Sequence, residues 1–361
     1  MKLIKYIFTL VTLLFHGQAY ADVPIPGNCN WETENGNFYD RAFQGKIDLG
    51  TLYIPRDAPV GSVIGKDWVN IPIDTSSMKQ LACYSRAAIR TTVTSGSVIN
   101  NVTVANNRVP AGNLFSTNIP GVGVAFRTGS MNGSINLSTV SGTPPYFPYT
   151  VRTGFLSLFT TPNIPVSVLL VKTSDISMGS QKLNASSEII VDGSGVIEKF
   201  TVNATIIRSE CVLPATSKQI SVYMGNVSIS KLKPAGTEGS LLQSFQIPLT
   251  DCISGSYPSV SNNYFTSSYV NLSLSGNSGS TIIDTDKGIL GLNSKSTATG
   301  VAVQILQTGS NKPMTLGRSV QMKRVTDGSM SIDFDARYIR TNDSPTAGSA
   351  NASATFTITY K

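Results

Sequence analysis

Histidine is almost missing: of 361 residues, His16 alone is one, and it stands in a leading segment read below as removable. The remainder then holds no imidazole, which excludes Ser-His-Asp and Cys-His catalysis, histidine zinc sites and histidine pH switches. Charged residues are scarce at 14%, low for a cytosolic enzyme, while 40% hydrophobic content is far too high for disorder. Helical periodicity is missing throughout. The excess of 28 Lys+Arg over 21 Asp+Glu is scattered, with no basic run for nucleic acid or lipid. Cysteine never occurs as C-x-x-C, so neither a zinc knuckle nor a thioredoxin-like redox site is expected. Carboxylates are sparse, sit mostly beside Gly, Asn or Ser, and nominate no glycosidase pair. These absences point away from an enzyme and imply no cofactor.

What is present begins with a leader. Residues 1–21, MKLIKYIFTLVTLLFHGQAYA, carry early lysines, an apolar run from Tyr6 to Phe15 and an A-x-A site, the layout of a cleaved secretory signal. That run is shorter than the roughly 20 residues a bilayer span requires. Removing Lys2 and Lys5 takes the formal charge from +7 to +5. An exported, soluble chain is expected, and in an oxidising compartment its four cysteines read as disulfides. Four cysteines allow three connectivities, and the wide gap between Cys83 and Cys211 favours Cys29–Cys83 and Cys211–Cys252.

Short alternating runs rich in Val, Ile, Thr, Ser and Tyr recur along the chain. They fall at 46–54, 97–104, 121–127, 166–172, 198–207, 220–224, 242–249, 269–274, 301–306, 331–339 and 352–360. Turns come from 31 Gly and 18 Pro. The pattern predicts an all-β chain of two sandwiches, with the polar stretch at 190–197 as boundary: residues 22–197, then 198–361. Residues 61–67 lack the spacing and the Ser/Thr of a P-loop, and residues 284–288 lack the later Glu of a calcium loop; both read as turns. The C-terminus, GSANASATFTITYK at 348–361, alternates throughout, with Ala352, Ala354, Phe356, Ile358 and Tyr360 on one face. Only seven residues, two of them Pro, separate the leader from Cys29, too few for a long alternating arm.

Residues 201–361 resemble the pilin domain of bacterial chaperone–usher fimbriae. The likeness is carried by IIRSECVL at 206–213, VYMGNV at 222–227, FQIPLTDC at 245–252, the penultimate Tyr360 and Gly348 near the end. In the first half, TLYIPRDAPVGSVI at 51–64, KDW at 66–68 and FSTNIPGVGVAF at 115–126 are similar to two-domain tip adhesins, those of type 3 fimbriae in particular. The resemblance implies two immunoglobulin-like β-sandwiches, the C-terminal one an incomplete pilin domain lacking its last strand. It implies a periplasmic chaperone and then an adjacent pilin subunit, delivered through an outer-membrane usher, as donors of that strand. Gly348, Ala354, Phe356, Ile358, Tyr360 and the carboxylate of Lys361 would form the chaperone- and subunit-binding strand. Without a donor arm the chain would end the fibre at the cell surface. The first half would then bind a host glycan or extracellular-matrix protein. The alternative is a structural minor subunit or fibre initiator with no ligand of its own.

Binding surfaces favour Tyr, Trp and Arg. Two segments supply them: Trp31 with Tyr39, Asp40 and Arg41, and Tyr146 and Tyr149 with Arg152. Core packing is the competing reading for each, and Trp68 reads as scaffold.

Overall fold

Alternating β-branched and aromatic residues cut by Gly and Pro build strands, and the described residues are strands joined by turns and loops with almost no helix. The computed structural model describes residues 28–361 apart from 34, 36–37, 40–41, 75–77, 131–132, 160–163, 235–239, 258–263 and 343. The expected leader at 1–21, Asp40 and Arg41 lie outside the described residues. Three short 3-10 turns are the helical elements among the described residues, so the fold class is all-β, as the alternation predicts. Among them no helix is long and apolar enough to cross a membrane.

The first core lies between two sheets. One is built on Asn28–Thr33, Met78–Tyr84 and Leu156–Phe159. In the other, Ser180–Val191 joins Ala88–Val93, Tyr146–Thr153, Val122–Thr128 and Val166–Lys172. Phe126, Phe147, Phe159 and Phe200 fill the space between. Trp31, 1% exposed and edge-on to Phe43 at 5.2 Å, belongs to this core and is no surface ligand contact.

The second core is smaller and unevenly covered. Gln243–Ile253, Gly328–Arg340 and Val301–Gln307 form one side, and a sheet of three strands, Val320–Arg324, Tyr269–Gly276 and Ala354–Tyr360, forms the other.

Gly195–Val212 runs through both. It pairs antiparallel with Ser180–Val191 and parallel with Phe43–Pro55, then at its end with Gln243–Ile253. The stretch expected as boundary, 190–197, holds a hairpin turn. Residues 192–194 turn a hairpin, with Val191 opposite Gly195, and Ile197 to Ile206 still pack in the first core; the second opens at Cys211. Asp-Gly-Ser-Gly is as good a hairpin turn as a linker, and composition does not separate them.

Two expected strands do not form. Residues 97–104 form no ladder; Val98 makes an isolated bridge to Phe115, and Ile99, Val102 and Val104 pack in a small side cluster. Residues 220–224 keep a strand's alternation, Ile220, Val222 and Met224 half-buried and Ser221 and Tyr223 exposed, but pair with no strand among the described residues. Residues 61–67 are a strap rather than a hairpin turn: Val63 bridges Val171, and Gly61 has φ +90° and no room for a Cβ, which would lie 2.1 Å from Thr103 O.

Both disulfides form as expected, Cys29–Cys83 between directly opposed residues and Cys211–Cys252 in the second half. The second closes a loop of 41 residues. Replacing Cys211 and Cys252 together by Ser should cost about 4 kcal/mol by loop-closure entropy. A urea midpoint unchanged from wild type under oxidising conditions would contradict this.

Candidate functional site

Two places carry chemistry beyond packing. The first is the final strand, Ala354–Tyr360. It pairs on one side with Tyr269–Gly276, and among the described residues no strand pairs with its other side. Burial is graded along its apolar face: Ala354 is exposed, Phe356 and Ile358 half-buried, Tyr360 buried. Phe356, Ile358, Ile220 and Met224 all lie half-covered on the second core. An apolar face left partly in water beside an open edge is the arrangement to which an extended segment adds.

The expected strand residues divide by role. Tyr360 is 1% exposed and donates its hydroxyl to Cys211 O at 3.1 Å; burial pushes that hydroxyl's pKa up to about 12. It completes the core rather than lining an open groove. Lys361 is exposed, with its backbone N–H donated to Tyr269 O at 3.1 Å. Gly348 stands off the strand: a Cβ there would come within 2.5 Å of Ala298 N and Thr297 Oγ1, so close packing requires glycine.

The second place is a patch on the first half. Tyr146 and Tyr149 lie on one strand, whose alternation buries Phe147, Tyr149 and Val151. Tyr149 is therefore a core residue, 4% exposed, its hydroxyl 3.0 Å from Thr128 Oγ1 and its pKa pushed up to about 12 by burial. Expected as a ligand contact, it instead packs inside the sandwich. Tyr146 is half-buried and faces the Trp68 ring at 5.9 Å, while the Arg127 guanidinium stands 4.4 Å over the same indole. Asp67 and Arg108 pair beside Trp68 at 3.4 Å. Asn113 fixes the start of the strand, donating Nδ2 to Tyr146 O (3.1 Å) and Phe147 O (2.8 Å). Arg152 is exposed, but six residues along the strand, about 20 Å, separate it from Tyr146. The fold does not join them. Tyr39 sits in a short strand opposite Trp31.

Sequence reasoning missed Arg127 and set Trp68 aside as scaffold. It also missed Glu198, a carboxyl with 0% exposure in the first core. Its Oε1 accepts from Ile164 N–H at 2.9 Å and its Oε2 has no partner among the described residues. Desolvation pushes its pKa up to about 8. Among the described residues no group of three or more His, Cys, Asp or Glu side chains gathers to hold a metal ion.

The sequence model of the family described as fimbrial protein matches residues 200–361. The chain is 31% identical over 181 residues to the type-1 fimbrial protein, C chain, of Escherichia coli, spanning 49% of this chain and 89% of that one. Among solved structures it is similar to the CupB6 tip adhesin from Pseudomonas aeruginosa, at 13% identity and a TM-score of 0.37, over 92% of this chain and 95% of that one. It is also similar to the receptor binding domain of the plasmid-born adhesin MrkD1P of Klebsiella pneumoniae, at 20% identity and a TM-score of 0.32, over 52% of this chain and 99% of that one.

Proposed function

The chain belongs to the fimbrial protein family, and from that premise we propose that it is the tip adhesin of a chaperone–usher fimbria. Fimbrial subunits are structural and adhesive proteins, not enzymes. The observation that carries the proposal is the final strand's half-covered apolar face beside an unpaired edge, with the unpaired alternating segment 220–224 on the same core. A strand supplied first by a periplasmic chaperone and then, at the outer-membrane usher, by the adjacent pilin subunit would bury Phe356 and Ile358 and satisfy that edge. The expected division at 197/198 agrees with a family match that starts at residue 200, and we set the functional division a few residues later, near 207, on core membership. The first unit, from 22 to about 207, is the receptor-binding one.

In that unit we assign the ligand site to Trp68, Arg127 and Tyr146. A half-buried indole with a stacked guanidinium and a phenol presents flat apolar area with polar handles, as glycan and matrix-protein surfaces require. The test is binding of the chaperone-bound full chain to glycan and matrix-protein panels. Arg127→Ala and Tyr146→Ala should each weaken the positive signal by more than about tenfold, with the thermal midpoint kept within a few degrees of wild type. Full binding by both variants would remove the patch from consideration. A wild-type chain that binds nothing on either panel, yet joins fibres, would favour the structural minor-subunit reading.

A further inference from the structure

The edge on which a strand would add is not wholly open. Lys361 exchanges both backbone bonds with Tyr269. Antiparallel alternation therefore turns the N–H and C=O of Tyr360, Ile358, Phe356 and Ala354 away from Tyr269–Gly276, toward the outer edge. Three of those groups are taken. Tyr360 N–H donates to Asp57 Oδ2 at 2.7 Å, Tyr360 C=O accepts from Asp57 N–H at 3.0 Å, and Ile358 C=O accepts from Arg56 Nη2 at 2.8 Å. Asp57 thus pairs with Tyr360 as a neighbouring strand would, its carboxylate standing in for a carbonyl. Ile358 N–H and both backbone groups of Phe356 and Ala354 keep no backbone partner among the described residues.

The turn that does this is anchored in the first half. Lys172, 3% exposed, donates Nζ to Arg56 O at 2.6 Å and to Ala58 O at 2.8 Å. Arg56 N–H donates to Ser209 O at 3.0 Å. The Arg56 guanidinium lies 4.7 Å over the Tyr360 ring, 2.9 Å from Asp57 and 3.5 Å from Glu210.

We infer that the Arg56–Asp57 turn is an end stop for the added strand, fixing how far along Ala354–Tyr360 an incoming segment pairs. The inference rests on the strand-acceptor reading above, and the occupant is an extended arm of another fimbrial subunit. An arm reaching Tyr360 must give up charge-assisted bonds to Asp57 and Arg56 for neutral backbone bonds, a losing exchange. An arm ending at Ile358 N–H gives up nothing. The first half therefore sets the register in which the second half is completed.

The test uses the chaperone-bound full chain challenged with alternating Val-Thr peptides lengthened one residue pair at a time. Affinity should climb with length until the peptide reaches Ile358 and then level off, with the Tyr360 amide protected from hydrogen exchange in every complex. Asp57→Ala should lower that protection about tenfold or more and let longer peptides go on gaining. Asp57→Asn keeps an acceptor oxygen and should level off as wild type does. Continued gain in wild type, with the Tyr360 amide passing to the peptide, would overturn the end stop while leaving strand acceptance intact. If no peptide of any length binds, strand acceptance fails, and the stop with it. Should Asp57→Ala yield no complex, the wild-type and Asp57→Asn length series still decide.

Discussion

Phe356→Asp is expected to leave no chaperone complex to recover from the periplasm and no chain in the fibre. Phe356 sits half-covered on the second core, two residues after the start of the final strand. A carboxylate there would be buried by an incoming strand on an apolar face that offers it no cation or hydrogen-bond donor, at a cost of several kcal/mol. Phe356→Ala forgoes about 2 kcal/mol of burial and should give a reduced yield rather than none. Tyr360→Ala should act differently, because Tyr360 is already 1% exposed and bonded to Cys211 O. It should lower the stability of the second unit itself, by about 3–5 kcal/mol for an aromatic so deeply buried. Co-purification with the cognate chaperone and immunogold counts on fibres measure the first effect, and urea unfolding the second. Wild-type yields from Phe356→Asp would mean that the strand face takes no partner.

Glu198→Gln is expected to flatten a fall in stability between about pH 5 and pH 8. Burial raises the carboxyl from its ordinary 4.5 to about 8, opposed only by the bond from Ile164 N–H. The folded chain thus keeps a proton that the unfolded chain releases above its own, lower pKa. That stabilisation is whole below pH 4.5 and is lost as pH rises through about 8. Over such a gap a single proton accounts for a loss on the order of 4 kcal/mol. Gln has nearly the shape of the neutral acid and titrates nowhere in this range. Urea midpoints at the two ends of the window should diverge for wild type and coincide for Glu198→Gln; equal slopes in both proteins would refute the assignment.

Much of this fold was readable because the alternation of a strand is local. The run at 166–172 becomes the strand Val166–Lys172, and the even spread of Cys29, Cys83, Cys211 and Cys252 anticipates both bridges. The failures have physical causes. Residues 220–224 have a strand's pattern and no strand among the described residues to pair with, and alternation by itself reports burial of one face rather than a ladder. Tyr149 was misjudged although its parity was available, for it alternates in step with Phe147 and Val151. Glu198 shares the parity of Phe200, Val202, Ala204 and Ile206, so its burial was equally legible and was overlooked. Other features were beyond sequence reading. Arg127 meets Trp68 and Tyr146 only through sheet pairing, and Asp57 meets Tyr360 across 303 positions.

The unbroken strand Gly195–Val212 has a mechanical meaning. A tether of Gly and Ser between two bodies would go slack and taut like a cord. Here the covalent backbone passes from one core to the next while still laddered, on one side to Ser180–Val191 and on the other to Phe43–Pro55 as far as the pair Ser209–Pro55. Its ladder bonds lie across the strand axis, so tension along that axis loads many of them at once in shear instead of peeling them one by one. A pull along that axis would pass from the first core to the second through a paired strand, which takes up further partners at Glu210 and Val212.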